Sequence, residues 1–401
     1  MLYLNQLGMI CPLGDSHSEI SRHLFAGDSG VAMTTRYSPS QGQDRQRECE
    51  LKLALGCVEK VLPDMSMLPL GQRSRNNQLA LAALAQIRPQ VDEAIQQFGA
   101  DRVAIVLGTS TSGIAQSEAA FRYRLANGGF PADFTYEQQE MASPAATLAS
   151  VLGITGPAYV HSSACASSSK AMASAARLIN MGLCDAVLTG GVDSLCAFTV
   201  AGFAALESVS ATRCNPFSAN RNGINIGEGA ALFLMSKVEA TVSLRGWGES
   251  SDGYHISAPD PSGAGARNAM EKALARAGVT PKQIDYINLH GTATVQNDAM
   301  EGRAIASMFA DHVALSSTKP FTGHALGAAG AIEAGVCWLA MQDNNPQGQL
   351  PPHLWDGVGD PGLPPLNLLP LGARLGQPLR LALSNSFAFG GANASLLLGR
   401  E

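Results

Sequence analysis

Charge is scarce in this chain: Asp, Glu, Lys and Arg make up 15% of its 401 residues, and the net charge is −6. That balance excludes nucleic-acid binding, which needs a broad basic face. An acidic partner would have to meet a local basic patch. The cysteines Cys11, Cys49, Cys57, Cys165, Cys184, Cys196, Cys214 and Cys337 form no C-x-x-C pair and show no zinc-type spacing with histidine, so spacing yields no metal set. Long apolar runs are also missing. The best stretch, 186–206, is broken by Gly190, Gly191 and Asp193, which falls short of the roughly 18 apolar residues of a membrane span. The first residues, Met1 to Asn5, lack the charged start and apolar core of a signal peptide. A cytoplasmic chain with reduced thiols is expected, with no membrane association.

What the chain has is apolar bulk and glycine: 46% hydrophobic residues and 42 glycines, enough for a sizeable core with close helix–sheet packing. β-rich runs alternate with Ala-rich helical runs. Strands are expected at 103–107, 157–162 and 186–189, with helices at 116–126 and 167–181. A second series places helices at 264–277, 298–309 and 328–341, and strands at 286–289, 313–316 and 379–383. Such alternation implies parallel sheets covered by helices, an α/β fold. The pattern runs twice, over about 1–240 and 241–401, predicting two similar halves packed as one body. The Pro- and Gly-rich 346–377 stretch reads as a surface excursion.

Three segments carry chemistry. An extended run ends in Ser162-Ser163-Ala164-Cys165-Ala166-Ser167 and opens a helix. A thiol at a helix N-terminus sees the positive end of the macrodipole, which favours the thiolate nucleophile. The pattern equally suits a structural cysteine before a helix. His290 closes a strand and precedes Gly291-Thr292-Ala293-Thr294, with Asn297, Asp298 and Glu301 beyond; His324 lies in Lys319-Pro320-Phe321-Thr322-Gly323-His324, with Glu333 further on. Both histidines sit between a strand and a helix, where loops can point side chains into a shared cleft. Ser384-Asn385-Ser386-Phe387-Ala388-Phe389-Gly390-Gly391 is a tight Gly turn whose N–H groups suit an oxyanion hole beside Cys165.

In this order, the Ala-Cys-Ala-Ser elbow, His-Gly-Thr-Ala-Thr, the Lys319 to His324 segment and Asn-Ser-Phe-x-Phe-Gly-Gly-x-Asn resemble the β-ketoacyl-[acyl-carrier-protein] synthases, in the Cys–His–His (KAS I/II) branch of the thiolase-like fold. The likeness covers nearly the whole chain. It implies two βαβαβ halves in a five-layered αβαβα body, the first half carrying the cysteine and the second the histidines. It also implies a decarboxylative Claisen condensation: Cys165 takes an acyl chain from acyl carrier protein, and His290 and His324 stabilise the enolate of malonyl-acyl carrier protein. By the same resemblance Lys319 and Glu333 orient the site, and the N–H groups of Cys165 and Phe389 form the oxyanion hole. Phe389 gates the site with Phe387 beside it, and Thr292, Thr294, Gly390 and Gly391 contact substrate. No metal, flavin or nicotinamide is implied.

Four positions depart from the family pattern: Ala388 between the phenylalanines, Asn215 before Pro216-Phe217, Ile224-Asn225, and His161 ahead of the elbow. They imply a specialised synthase for polyketide or aryl polyene chains rather than housekeeping fatty acid elongation. His161 reads as a packing or pocket-lining residue. Carrier docking needs positive charge near the tunnel mouth, since carriers are acidic; Arg122 and Arg124 are favoured over the pairs Arg73/Arg75 and Arg213/Arg221. The family also implies a homodimer, or a heterodimer with a related ketosynthase-like subunit, with 187–189 or its neighbours at the interface. The alternatives are a non-catalytic, chain-length-factor-like subunit, which would lack the cysteine, and a thiolase, which would need a second cysteine near the C-terminus.

Overall fold

A computed structural model of the chain describes residues 1–37, 52–309 and 313–401, so Cys49 lies outside the described residues. The first half contains β1 (Tyr3–Ile10), α1 (His17–Ala26), β2 (Val31–Thr34), β3 (Leu53–Gly56), α2 (Arg75–Phe98), β4 (Val103–Gly108), α3 (Ile114–Asn127), α4 (Ser143–Leu152), β5 (Ala158–His161), α5 (Ser167–Asn180), β6 (Ala186–Asp193), α6 (Ala197–Ala205) and β7 (Gly229–Ser236). The second contains β8 (Val242–Ser251), α7 (Ala264–Ala277), β9 (Tyr286–Asn288), α8 (Val295–Met308), β10 (Ala314–Ser316), α9 (Lys319–Thr322), α10 (Ala329–Ala340), β11 (Leu381–Phe387) and β12 (Ala392–Arg400).

The strand order β10-β9-β11-β12-β8-β1-β7-β6-β4-β5 reads as one arrangement used twice. In the first half β4 pairs in parallel with β5 and β6, and β6, β7 and β1 follow antiparallel. In the second half β9 pairs in parallel with β10 and β11, and β11, β12 and β8 follow antiparallel. The halves meet in the sheet at Tyr3 opposite Ser243. The expectation of parallel sheets therefore holds only for the three outer strands of each half. The inner strands reverse direction: β11 to β12 does so through a short turn, which can only give an antiparallel pair, and β6 to β7 through the longer segment that carries α6.

Five layers result. α2 and α4 cover one sheet half and α7 and α8 the other, while α5 and α10 lie between them, touching strands of both and each other. Two helices fit there because their contacts are small. Ser168 Oγ accepts the Ala331 N–H at 2.9 Å, Ser169 Oγ meets Ser386 Oγ at 3.0 Å, and a Cβ on Gly330 would fall 2.1 Å from Ser169 Oγ. α10 is buried along its whole length. A buried polar hydroxyl is tolerated only when paired, which these serines are.

The stretch 186–206 is β6 followed by α6, and no described helix is long and apolar enough to cross a membrane. Between α10 and β11, 346–377 runs without helix or strand, but it is a surface excursion only in part: Leu350, His353 and Leu369 are buried. The expected interface at 187–189 needs correcting. Val187, Leu188 and Thr189 are wholly buried, with β4 on one side of β6 and β7 on the other. A strand paired on both edges has no free donors to offer a partner. The open edge belongs to β5, two strands away.

Candidate active site

The repeated architecture brings the chemistry together. Cys165 follows β5 and precedes α5; His324 follows the equivalent edge strand β10 and precedes the equivalent helix α10; His290 follows β9, the strand beside β10, by two residues. The central helices thus deliver the cysteine and one histidine from opposite halves to the same place. Cys165 Sγ lies 2.9 Å from His324 Nε2, and the His290 and His324 rings stand edge to face with centroids 5.4 Å apart. Turns that L-residues adopt reluctantly mark all three approaches: Ala164 (φ +48°), Ala293 (φ +63°) and Leu326 (φ +47°). Each such residue costs of order 1–3 kcal/mol, so the surroundings must hold it.

Buried carboxylates provide that hold. Glu301 accepts the N–H groups of His290 and Gly291, each at 2.8 Å, and Asp298 accepts those of Ala293 at 3.1 Å and Phe217 at 2.7 Å. Burial pushes both acids up to about 7 against these donors. Asp193, at the end of β6, accepts from Thr109, Ser110 and Thr111 and, at 2.6 Å, from the N–H of Gly327 in the His324 loop. Sequence reasoning noted Asp298 and Glu301 without a role and passed over Asp193. Two acids three residues apart, on one face of α8 among Ala299, Met300 and Gly302, were the available signal.

Lys319 is buried and donates to Glu333 Oε1 at 2.5 Å and to His290 Nδ1 at 3.2 Å. An ammonium has no acceptor, so His290 Nδ1 must be the unprotonated nitrogen and its proton sits on Nε2. That Nε2 is buried with no partner among the described residues. Burial first, then the Lys319 charge, drives both histidines well below their usual range. Burial likewise pushes Glu333 up to about 7, opposed by Lys319.

The expectation of a thiolate at the helix N-terminus is corrected by burial. Cys165 is enclosed, and desolvation pushes its thiol up to about 11, with Lys319 and the N–H groups of Phe389 and Cys165 itself pulling the other way. In a closed apolar site the cost of an unpaired charge exceeds the help of helix-end dipoles. The Cys165, His290 and His324 ligand atoms lie within 4.8 Å of one another, a set that could hold a metal ion although no sequence spacing marks it.

Phe389 lines a cavity of about 490 Å³ together with Thr294, Asn297, Arg221 and Glu207, and its ring lies 5.9 Å from Phe203. Phe387 is instead buried at the end of β11 with its ring 6.3 Å from that of His290, a wall of the site rather than its mouth. Thr292 is buried and shares a 2.9 Å hydroxyl bond with Thr294. Gly390 and Gly391 shape the turn and do not line the cavity. Gly391 needs φ +75°, and a Cβ there would lie 2.8 Å from that of Asp252.

The departures have local accounts. Ala388 is buried against Cys165, Ala166 and Ala394. Ile224 belongs to an apolar cluster with Val200 and Leu326, and Asn225 holds Cys214 N–H with its side chain and His324 N–H with its carbonyl. Asn215 closes a turn through Ser218 N–H. His161 stays on β5 with its ring 5.7 Å from Tyr159. Among the arginine pairs, Arg75 and Arg221 are tied to Glu228 and Asp360.

Two family models match the chain: beta-ketoacyl synthase, N-terminal domain, over residues 7–240, and beta-ketoacyl synthase, C-terminal domain, over 241–354. The chain is 32% identical to 3-oxoacyl-[acyl-carrier-protein] synthase 2 of Coxiella burnetii, over 98% of this chain and 97% of that protein. It is 33% identical to nodulation protein E of Rhizobium meliloti, over 97% and 96%. Its fold superimposes on the ketosynthase ApeO of Xenorhabdus doucetiae, solved in complex with its chain length factor ApeC. The TM-score is 0.91 and the identity 42%, covering 100% of this chain and 98% of that one.

Proposed function

Because the chain belongs to the β-ketoacyl synthase family, we propose that Cys165, His290 and His324 are the residues with which it runs the family's condensation. The chain is an acyl-transferring condensing enzyme: an acyl thioester and malonyl-acyl carrier protein become 3-ketoacyl-acyl carrier protein and CO₂. The Cys165 sulfur attacks the acyl thioester and expels the carrier's thiolate, which takes up the proton the thiol loses. His324 Nε2–H, 2.9 Å from the sulfur, donates to it and steadies it as the proton leaves. The malonyl thioester then enters past Phe389, its oxygen accepting from His290 Nε2–H and His324. Loss of CO₂ leaves an enolate on that oxygen, and its carbon attacks the acyl-Cys165 carbonyl. The N–H groups of Cys165 and Phe389 bind the resulting oxyanion, and the Cys165 sulfur leaves as the ketone forms.

One observation carries this reading: Lys319 donates to His290 Nδ1 and so holds an unpartnered Nε2–H within the cluster. Neutral donors aimed at a developing oxyanion help the transition state more than the ground state. A cationic imidazole would instead grip the malonyl carboxylate and oppose its departure. A chain-length-factor-like role is not favoured, since the cysteine and both histidines are present and in contact.

The enzyme's place is a specialised pathway of polyketide or aryl polyene type. Support comes from Ala388 filling space beside Cys165 and from 42% identity to ApeO. Its partner is a chain-length-factor-like subunit, as ApeO has, and it works in the cytoplasm, where free thiols such as its seven described cysteines persist.

Intact mass spectrometry with a panel of acyl-carrier thioesters tests the roles. The unaltered protein gains the acyl mass, and Cys165→Ala gains none. His290→Ala still loads but no longer releases CO₂ from malonyl carrier. Normal turnover by Cys165→Ala, or equal loss of loading in His290→Ala, would reject this assignment.

A further inference from the structure

The mouth of the cavity continues into a second groove. Val295 and Gln296 line both the 490 Å³ cavity and a neighbouring one of about 230 Å³, whose other walls are Tyr254, Ala258, Pro259, Pro261, Ala299 and Arg303. The floor of this groove is apolar, and the side chains around it are open to solvent: Tyr254 is 59% exposed, Val295 59% and the nearby Ile256 82%. Single exposed apolar residues need no explanation, but a rimmed apolar groove does.

The rim is basic in a way the sequence hides. Arg303 donates to the carbonyl of Pro261 at 3.3 Å, and Arg267 donates to the carbonyl of the next residue, Ser262, at 2.9 Å. Two arginines from α7 and α8 thus flank one loop, and neither forms a salt bridge among the described residues. Asp260 of that loop points its carboxylate at the N–H and hydroxyl of Ser262. The exposed Glu207 is among the residues that line the larger cavity.

The arginines expected to dock the carrier are placed differently. Arg122 is bridged to Glu118, and Arg124 lies 4.8 Å over the Phe130 ring, on an α3 face that also exposes Phe121 and Leu125. None of them lines the mouth.

We propose that the acyl carrier protein docks on the Arg267–Arg303 rim and the Tyr254–Val295 groove. An acidic carrier helix would pair with the two arginines while its apolar side fills the groove. This rests on the condensing role argued above. The groove shares Val295 and Gln296 with the mouth, so a carrier whose arm enters there must sit over it. Arginine is suited to this task because it pairs with carboxylates at an exposed interface and steers encounter.

The test compares two acyl donors, acyl-carrier protein and the same acyl group on N-acetylcysteamine, with Arg267→Glu/Arg303→Glu. Cys165 loading from the carrier should show a KM raised about tenfold, corresponding to roughly 1.4 kcal/mol. Loading from the small thioester should be unchanged. Added salt should raise the KM of the unaltered enzyme and lower that of the variant, whose glutamates repel the acidic carrier. An unchanged carrier KM overturns the proposal. So does a parallel fall with the small thioester, or an equal KM rise from Arg122→Glu/Arg124→Glu in its place. Failure of the unaltered protein to load from any thioester would instead defeat the condensing role itself.

Discussion

Burial acts on the three side chains clustered in the candidate site, Cys165, His290 and His324, in opposite directions and leaves all of them uncharged at neutral pH. It raises the Cys165 thiol to about 11 and lowers both imidazoles. The nearest full charge is the Lys319 ammonium, 3.2 Å from His290. The motifs singled out Cys165, His290 and His324 in the sequence, and the fold brings the three together. The protonation state was not legible, because burial depends on what the other half of the chain contributes. The same assembly creates a metal-capable set that spacing denied: a thiol and two neutral imidazoles within 4.8 Å. Zinc takes such ligands at about 2.0–2.3 Å once the thiol is deprotonated. Micromolar Zn²⁺ should therefore inhibit loading and shield Cys165 from iodoacetamide, and a chelator should restore both. Because each ion displaces the thiol proton, inhibition should strengthen about tenfold per pH unit below the thiol's pKa. Alkylation at the same rate with and without zinc would refute this.

Junctions between strand and helix do the positioning, and each is held by a group distant in sequence. His353 is an example that no motif marked. Buried, it accepts the Ser317 N–H on Nδ1 at 3.1 Å and donates from Nε2 to the Pro216 carbonyl at 2.9 Å. Ser317 in turn donates to the carbonyl of Gly291, beside His290. Its burial lowers its pKa from 6.5 to about 4. The unfolded chain takes up this proton below 6.5 and the folded chain only near 4. The stabilisation is thus whole above pH 6.5 and lost as pH falls towards 4, about 3 kcal/mol in all. His353→Asn should lower the urea midpoint at neutral pH and flatten the acid-side fall in stability between those limits. Parallel pH curves for the two proteins would remove His353 from this role. Periodicity did mark many of the elements themselves, α7 to the residue and α5 and α10 to within one. It passed over β1, β7, β8 and β12, because polar and glycine residues interrupt β1, β8 and β12 and the apolar run of β7 shows no alternation.

At the scale of the whole molecule, the repeat was legible as two alternating series, but which strand lies at an edge was not, since strand order is a tertiary property. That order leaves β5 as the open edge of the first half. The Pro157 and His161 carbonyls accept from Ile105 and Thr109 of the neighbouring chain segment. In a parallel ladder alternate residues face one neighbour, so Ala158 and Val160 turn their N–H groups to the free side. A half-buried edge with free donors is a template for another strand, and β5 leads directly into Cys165. A second subunit pairing there would brace the elbow from outside. Val160→Pro removes one outward donor without touching the ladder to β4, and proline is tolerated on an edge. The variant should sediment as a monomer, with or without a co-expressed chain-length-factor-like subunit, while keeping its far-UV circular dichroism. Loading of Cys165 should fall with it, since Ala164 would be held in its left-handed conformation from one side only. A variant that still associates would move the interface away from β5, and the exposed apolar face of α3 with Phe121, Leu125 and Phe130 would then be the surface to mutate.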